Sequence, residues 1–147
     1  MAPSTKEREG RTLRVVLGVL AAAGVLISAY LTWVHFAGII PACAGGSGGC
    51  ETVQSSRYAT ILGAPVSVLG LLGYTGLLYS AVLRGDVGVY LGFLLALVGT
   101  LFSAYLTYLE VFTIHALCQW CLASAALMVA ALICTALEAW RMSSKVY

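Results

Sequence analysis

Five cysteines carry the chemistry available to this 147-residue sequence, and four of them form two pairs. Cys43 and Cys50 bound the segment CAGGSGGC, and Cys118 and Cys121 bound the motif C-Q-W-C. Cysteine pairs at such spacings can form and break disulfides, because a thiolate attacks a disulfide sulfur and exchanges partners with it. The pattern predicts thiol–disulfide chemistry and leaves Cys134 as an inert buried thiol.

The C-x-x-C motif is predicted to open a helix. Residues three apart share a helix face, so the two sulfurs can reach disulfide geometry. A helix N-terminus favours anions, which lowers the pKa of the first cysteine and makes it reactive. Cys118 is therefore the predicted reactive sulfur, at the water-exposed end of the helix. Cys121 lies one turn deeper and is predicted to point toward the bilayer.

The glycine-rich segment between Cys43 and Cys50 has a predicted reach of roughly 15 Å. The two cysteines can close on each other, and each can also be carried to another thiol. A short loop closed only as a staple adds little stability, so exchange is the favoured interpretation. Two structural alternatives stay open: purely structural disulfides, and a zinc site from all four cysteines, for which the first spacing is wide.

The elements that hold these cysteines are predicted to be membrane helices. The sequence is 61% hydrophobic and 10% charged, with a mean hydropathy of +0.95, whereas soluble domains carry about 25% charged residues. Four stretches lack Asp, Glu, Lys and Arg, namely 15–50, 58–83, 87–109 and 111–137. Each is long enough to cross a bilayer core, which needs roughly 20 apolar residues.

The predicted fold is therefore an all-α membrane protein, a single domain over residues 1–147. It is a four-transmembrane-helix bundle with a redox loop between helices 1 and 2. The spans are predicted at about 13–36, 62–83, 87–109 and 117–139, after a cytoplasmic tail at 1–12. The small residues of the second span share one face and indicate either tight helix packing or a slot for a flat ligand: Gly63, Ser67, Gly70, Gly73 and Gly76.

Basic residues set the predicted orientation, because cytoplasmic loops and tails collect Lys and Arg. Seven of them flank the predicted inner ends of the spans: Lys6, Arg8, Arg11, Arg14, Arg84, Arg141 and Lys145. Both termini are thus predicted in the cytoplasm of a multi-pass plasma (inner) membrane protein, with the paired cysteines on the oxidising, extracytoplasmic side. A cleaved signal peptide is the alternative for the N-terminus, but the apolar run continues to Phe36, too far for a signal core.

Taken together, these features resemble the vitamin K epoxide reductase (VKOR) family in its prokaryotic form, over residues 15 to 140. The motifs that carry the resemblance are Cys43 and Cys50 after the first span, Ser55-Ser56-Arg57-Tyr58, Gly70-Leu-Leu-Gly-Tyr74, and Cys118-Gln-Trp-Cys121. The resemblance implies an electron relay that supports disulfide formation. A thioredoxin-like partner outside the membrane reduces the loop pair, electrons pass to the C-x-x-C pair, and a quinone (menaquinone or ubiquinone) accepts them.

The resemblance also assigns roles by position. Cys43 would meet the partner, Cys50 would exchange with Cys118, and Cys121 would face the quinone. Ser56 matches a family serine near the active site, where its hydroxyl would hydrogen-bond a thiolate or a quinone oxygen; the alternative is a helix N-cap. Neither a metal nor a nucleic-acid partner is expected, and lipid surrounds the helices.

Departures from the family pattern bear on the substrate and the partner. Val66 and Ala125 stand where the animal enzymes have an Asn and a Tyr that hold vitamin K, which argues against epoxide reduction in the narrow sense. The sequence ends at Tyr147 without the fused thioredoxin-like domain of some members, so a separate partner is expected.

Two other kinds of protein could show a similar pattern of spans and cysteines. Disulfide-bond formation protein B also has four spans, but it has the two cysteine pairs in the reverse order. A non-catalytic tetraspan scaffold with structural disulfides is the alternative from another class. Among the remaining polar residues, Glu110 is predicted to be solvated. His115 is predicted to be an interfacial polar residue, with assistance to proton movement as the alternative.

Overall fold

The structure is a computed structural model that describes residues 2–43 and 48–147. Its helices are α1 (Thr5–Ala37), α2 (Gly49–Ser55), α3 (Val66–Val82), α4 (Asp86–Leu109) and α5 (Gln119–Ser143). A 3₁₀ turn (Arg57–Ala59) follows α2, and a π-helical turn (Glu110–Ile114) follows α4. Two short antiparallel strands, β1 (Thr60–Ile61) and β2 (Ala64–Pro65), precede α3. The predicted helical fold is confirmed.

The four longer helices pack as a ring in the order α1, α3, α4, α5, so that α1 and α4 each contact both α3 and α5. Their shared core includes Leu17, Ala21, Tyr74, Leu77, Ala96, Met128 and Ala131. Gly24 of α1 faces the ring of Tyr74, and a Cβ atom at this position would overlap that ring. Glycine thus allows α1 and α3 to approach closely around a buried aromatic side chain.

The outer surface of the bundle is apolar along its length. Large side chains stand exposed on several helices, among them Leu26, Leu72, Leu94, Leu101 and Ile133. Among the described residues, three helical segments are long and apolar enough to cross a membrane: Thr5–Ala37, Asp86–Ile114 and Gln119–Ser143. The fourth, Val66–Val82, is shorter. Such a surface is characteristic of a protein embedded in lipid.

Two helices differ in extent from the approximate membrane spans predicted for them. Helix α1 begins at Thr5 instead of 13, because Ser4 and Glu7 form a capping box that holds the first turn. The tail predicted at 1–12 is therefore helical from Thr5 onward. Helix α3 begins at Val66 instead of 62, because Leu62 and Gly63 turn the chain between the two strands with positive φ angles. Pro65 is the residue immediately before α3.

Charged side chains gather at the end of the bundle that holds the start of α1 and the end of α5. Arg141 and Glu9 form an ion pair at 2.9 Å, and Arg14 lies 3.8 Å from the buried Glu138. The paired cysteines lie at the opposite end, where α1 finishes and α5 begins. The bundle therefore has one charged end and one end that carries the thiol chemistry.

Candidate redox centre

The structure brings the two predicted cysteine pairs into one cluster. Cys43 and Cys50 form a disulfide with a Cα–Cα distance of 6.3 Å, while Cys118 and Cys121 are thiols. Cys50 and Cys118 are 1% and 0% exposed and form a buried cluster with Val53, against which Cys43 and Cys121 pack. Cysteines that are 68 residues or more apart in sequence thus meet at one end of the bundle.

The C-x-x-C motif opens a helix, as predicted. Cys118 is the N-cap residue of α5, and its sulfur accepts a hydrogen bond from the backbone N–H of Cys121 at 3.4 Å. This contact satisfies one of the N–H groups that a helix leaves unpaired in its first turn. A sulfur in this position faces the positive end of the helix dipole, which stabilises a thiolate.

The surroundings of Cys118 favour its thiolate form. A hydrogen bond from the Cys121 side chain is the largest influence and lowers the pKa of Cys118 to about 7 from an ordinary value of 9.0. Burial and the negative charge of Glu110 raise the pKa of Cys118. Hydrogen bonds from the Cys121 backbone N–H and from Gln54 lower it further. Near pH 7, a substantial fraction of Cys118 is therefore a thiolate, the form that attacks disulfides.

Two aromatic residues, Tyr30 and Trp120, form hydrogen bonds with the segment that carries Cys43. The indole N–H of Trp120 donates to the carbonyl of Ala42 at 2.7 Å, and the backbone N–H of Ala42 donates to the hydroxyl of Tyr30 at 3.1 Å. The rings of Tyr30 and Trp120 lie 5.3 Å apart. Trp120 belongs to the C-x-x-C motif itself, so the motif also fixes the chain just before the loop pair.

Helix α2 holds Cys50 against the start of α5. Gly49 lies so close to the segment before α5 that a Cβ atom would overlap the carbonyl oxygen of Leu117. Gly48, the residue before α2, has a φ of 68° and makes the turn into it. The predicted flexibility of the glycine-rich segment concerns mainly residues 44–47, which lie outside the described residues. Its last glycines, in contrast, form a turn and a close contact.

Glu110 was predicted to be solvated, and this prediction was wrong. The residue is 3% exposed, and its carboxylate accepts the backbone N–H of Cys118 at 3.1 Å. The π-helical turn that begins at Glu110 carries the chain back so that this side chain faces the C-x-x-C motif. Gln54 of α2 was also missed; its amide donates to the sulfur of Cys121 at 3.8 Å.

A cavity of about 350 Å³ lies beside the thiols, between α1, α3, α4 and α5. Cys121 and Glu110 line it on one side, and Ser67, Gly70 and Gly73 line it on another. A Cβ atom on Gly73 would meet no heavy atom within 4 Å, whereas one on Gly70 would approach Ser28 at 3.0 Å. The small-residue face of α3 therefore packs closely at Gly70 and borders open space at Gly73.

The size and lining of this cavity suit a flat apolar molecule. Ligand sites typically have volumes of about 300–1,000 Å³, with mostly apolar walls and a few polar groups. Here the walls are largely aliphatic and aromatic, and they also carry polar side chains, among them Gln54, Ser56, Tyr58 and Glu110. Such walls suit a ligand that has a largely apolar body and a few polar atoms.

Ser56 is one of the residues that line this cavity. It precedes the 3₁₀ turn, but its side chain makes no capping hydrogen bond; the hydroxyl donates to the carbonyl of Val53 at 2.7 Å. The proposed N-cap role is therefore absent, and the hydroxyl oxygen can still accept a hydrogen bond. His115 is exposed, and its backbone has a φ of 57°.

The remaining cysteine lies away from the centre. Cys134 is a buried free thiol about 20 Å further along α5 than Cys121, at 1.5 Å per helical residue. Within the part of the chain that the structure describes, no group of three or more His, Cys, Asp or Glu side chains is placed to hold a metal ion.

Two cysteine pairs and an apolar cavity at one end of a lipid-facing helical bundle define a class, that of membrane redox proteins. Residues 15–136 match the sequence model of the vitamin K epoxide reductase family, and the chain belongs to this family. Membership indicates a redox enzyme of the membrane, a disulfide oxidoreductase, and agrees with the thiol chemistry read from the cysteines. The predicted resemblance is thereby confirmed.

Proposed function

We propose that this protein oxidises a thioredoxin-like protein outside the cytoplasm and passes the electrons through its two cysteine pairs to a membrane quinone. The observation that supports this most directly is the single cluster that contains both pairs, with Cys121 in the wall of an apolar cavity. Electrons that enter at the loop pair have a covalent route to the cavity by thiol–disulfide exchange.

The steps follow from the positions of the sulfurs. Cys43, the more exposed member of the loop pair, exchanges with the partner. Cys50 then attacks Cys118 of the Cys118–Cys121 disulfide, which forms a transient Cys50–Cys118 disulfide and releases Cys121 as a thiol. Cys43 resolves this intermediate, which restores the Cys43–Cys50 disulfide and leaves Cys118 and Cys121 as the thiols that reduce the quinone and re-form their own disulfide. A loop disulfide beside two free thiols corresponds to the stage at which electrons have reached the C-x-x-C pair. Ser56 serves as a polar contact for the quinone or a thiolate.

The membrane arrangement completes the proposal. Four helices, α1, α3, α4 and α5, cross the plasma membrane, both termini lie in the cytoplasm, and the cysteine cluster lies on the extracytoplasmic side. The charged end of the bundle supports this orientation, because it carries Lys6, Arg14, Arg141 and Lys145. The direction of flow follows from the compartment, where a quinone sink favours net formation of disulfides.

The test is thiol-dependent quinone reduction by the purified protein, with dithiothreitol as donor and menaquinone, ubiquinone and vitamin K epoxide as separate acceptors. We expect quinone reduction that is abolished by Cys118→Ala and by Cys121→Ala. Cys134→Ala is the matched control, because it removes a buried thiol of the same helix, and it should retain activity. Full activity of Cys121→Ala would contradict the relay.

A trapping experiment separates the relay from a structural scaffold. Removal of Cys50 leaves Cys43 without its intramolecular partner, so a mixed disulfide with an added thioredoxin-like protein should accumulate. A scaffold that only braces its loops would give no such adduct and no quinone reduction. Absence of the mixed disulfide, or absence of quinone reduction, would contradict the proposed function.

A further inference from the structure

Glu110 is a buried carboxyl that the cysteine relay does not by itself require. It is 3% exposed at the end of α4, within a bundle whose described surface is largely apolar. Burying a carboxyl away from water is costly unless the group is compensated. Its position next to both cysteines of the C-x-x-C motif therefore calls for a role.

The main chain and the side chain of Glu110 are both fixed. Its carbonyl accepts the backbone N–H groups of His115 and Ala116, the latter at 3.1 Å, which closes the π-helical turn. Its carboxylate accepts the N–H of Cys118 at 3.1 Å and lies close enough to the Cys121 side chain to interact with it. Insertions of π-helix into α-helices are frequent at functional sites because they redirect a side chain.

The same carboxyl group lines the cavity next to Cys121. The titratable residues among the described cavity walls are Tyr58, Tyr74, Cys121 and Glu110. Tyr74 donates its hydroxyl proton to the carbonyl of Ser124 at 2.6 Å, deeper in the bundle. Glu110 is thus the one carboxyl group within this described lining, and it touches both the thiol pair and the cavity.

We propose that Glu110 relays a proton from the Cys118–Cys121 thiol pair to the quinone bound in the cavity. This inference rests on the proposed function, because it needs a quinone as the acceptor. Formation of the Cys118–Cys121 disulfide releases two electrons and two protons, and both electrons reduce the quinone to a hydroquinone. One proton passes through the Glu110 carboxylate to a quinone oxygen, which leaves the carboxylate as it began. The second passes directly from Cys121.

The competing role is structural, since Glu110 also holds the first turn of α5 through the Cys118 N–H. Glu110→Gln separates the two roles. The amide oxygen of glutamine can still accept that N–H, whereas the amide does not exchange a proton as a carboxyl does. Glu110→Asp keeps the carboxyl on a shorter side chain and serves as the conservative rescue. Glu138→Gln is the matched control, because Glu138 is a second buried carboxyl, at the charged end.

The experiment is single-turnover reduction of a short-chain ubiquinone by full-length protein whose cysteines have been reduced and freed of dithiothreitol, measured from pH 5.5 to 8.5. Glu110→Gln is expected to slow quinone reduction about 100-fold, in line with the contribution of general acid–base groups, and to remove one inflection from the pH profile. Glu110→Asp should recover part of the rate, and Glu138→Gln should match the wild type. Reoxidation of the loop pair by exchange with the C-x-x-C pair should be no slower in Glu110→Gln.

The outcomes distinguish the two proposals. A wild-type protein that reduces no quinone would overturn the proposed function itself. A wild type that reduces quinone, together with a Glu110→Gln variant of unchanged rate and pH profile, would overturn the relay through Glu110 alone. An equal loss in Glu138→Gln would show that any buried carboxyl has this effect, which would also overturn it.

Discussion

At the scale of single residues, the division of labour between Cys118 and Cys121 follows from their places on α5. Cys118 caps the helix and receives hydrogen bonds from the residue it would pair with, which stabilises its thiolate. Cys121 lies one turn further in, beside the cavity and next to the Gln54 amide. Cys118 is thus a stabilised thiolate beside the loop pair, and Cys121 lies in the wall of the cavity.

The lowered pKa of Cys118 gives a pH-dependent signal. Because the pKa is about 7, Cys118 should be mainly a thiol at pH 5.5 and mainly a thiolate at pH 8.5. Thiolate absorbance at 240 nm of reduced protein should therefore rise through a transition centred near pH 7. Cys118→Ser should remove this transition, and Cys134→Ser should leave it. A first transition near pH 9 in the wild type would show that the surroundings of Cys118 do not stabilise its thiolate.

At the scale of elements, short segments hold the loop pair close to the C-x-x-C pair. Helix α2 carries Cys50 and lies against the start of α5 through Gly49, and the Tyr30–Trp120 pair holds the chain before Cys43. The loop pair is therefore anchored on both sides of the segment at 44–47. This arrangement limits where Cys50 can go and directs it toward Cys118.

The contact at Gly49 can be tested by adding one methyl group. Gly49→Ala places a Cβ atom against the carbonyl oxygen of Leu117, a backbone atom that cannot rotate away. We expect α2 to shift and Cys50–Cys118 exchange to slow by about 10-fold or more, since displacing reacting groups by about 1 Å can cost 100-fold in rate. Glu51→Ala on the exposed side of α2 is the control. Stopped-flow exchange rates would measure both, and equal rates in the two variants would contradict the packing role.

At the scale of the whole molecule, the four-helix ring encloses an apolar cavity that reaches the thiols at one end. Gly73 lines this cavity with open space at its Cβ position, so Gly73→Leu should fill part of the volume without a backbone clash. We expect the KM for quinone to rise several-fold while the protein keeps its thermal stability in detergent. Gly18→Leu, which also has open space but lies outside the cavity lining, should leave KM unchanged. An unchanged KM in Gly73→Leu would place the quinone elsewhere.

Much of this architecture could be predicted from the sequence, because its signals are local. The gaps between charges gave the helical segments, and the spacing of Cys118 and Cys121 gave the opening turn of α5. The burial of Glu110 was missed because it depends on a π-helical turn that redirects the chain over a few residues. The clamp of Trp120 on Ala42 was missed for a similar reason, since it joins residues 78 positions apart. The early start of α1 was signalled by Ser4 and Glu7, three residues apart, a capping box visible in the sequence.

The central claim is that electrons cross from the loop pair to the C-x-x-C pair through Cys50 and Cys118. A double variant, Cys43→Ser with Cys121→Ser, leaves these two sulfurs without their usual partners in one buried cluster. Mild oxidation of this variant should give an intramolecular Cys50–Cys118 disulfide, identified by mass spectrometry of non-reduced peptides. We expect the Cys50–Cys118 disulfide to be the main product. Two free thiols, or bonds only to other molecules, would contradict it.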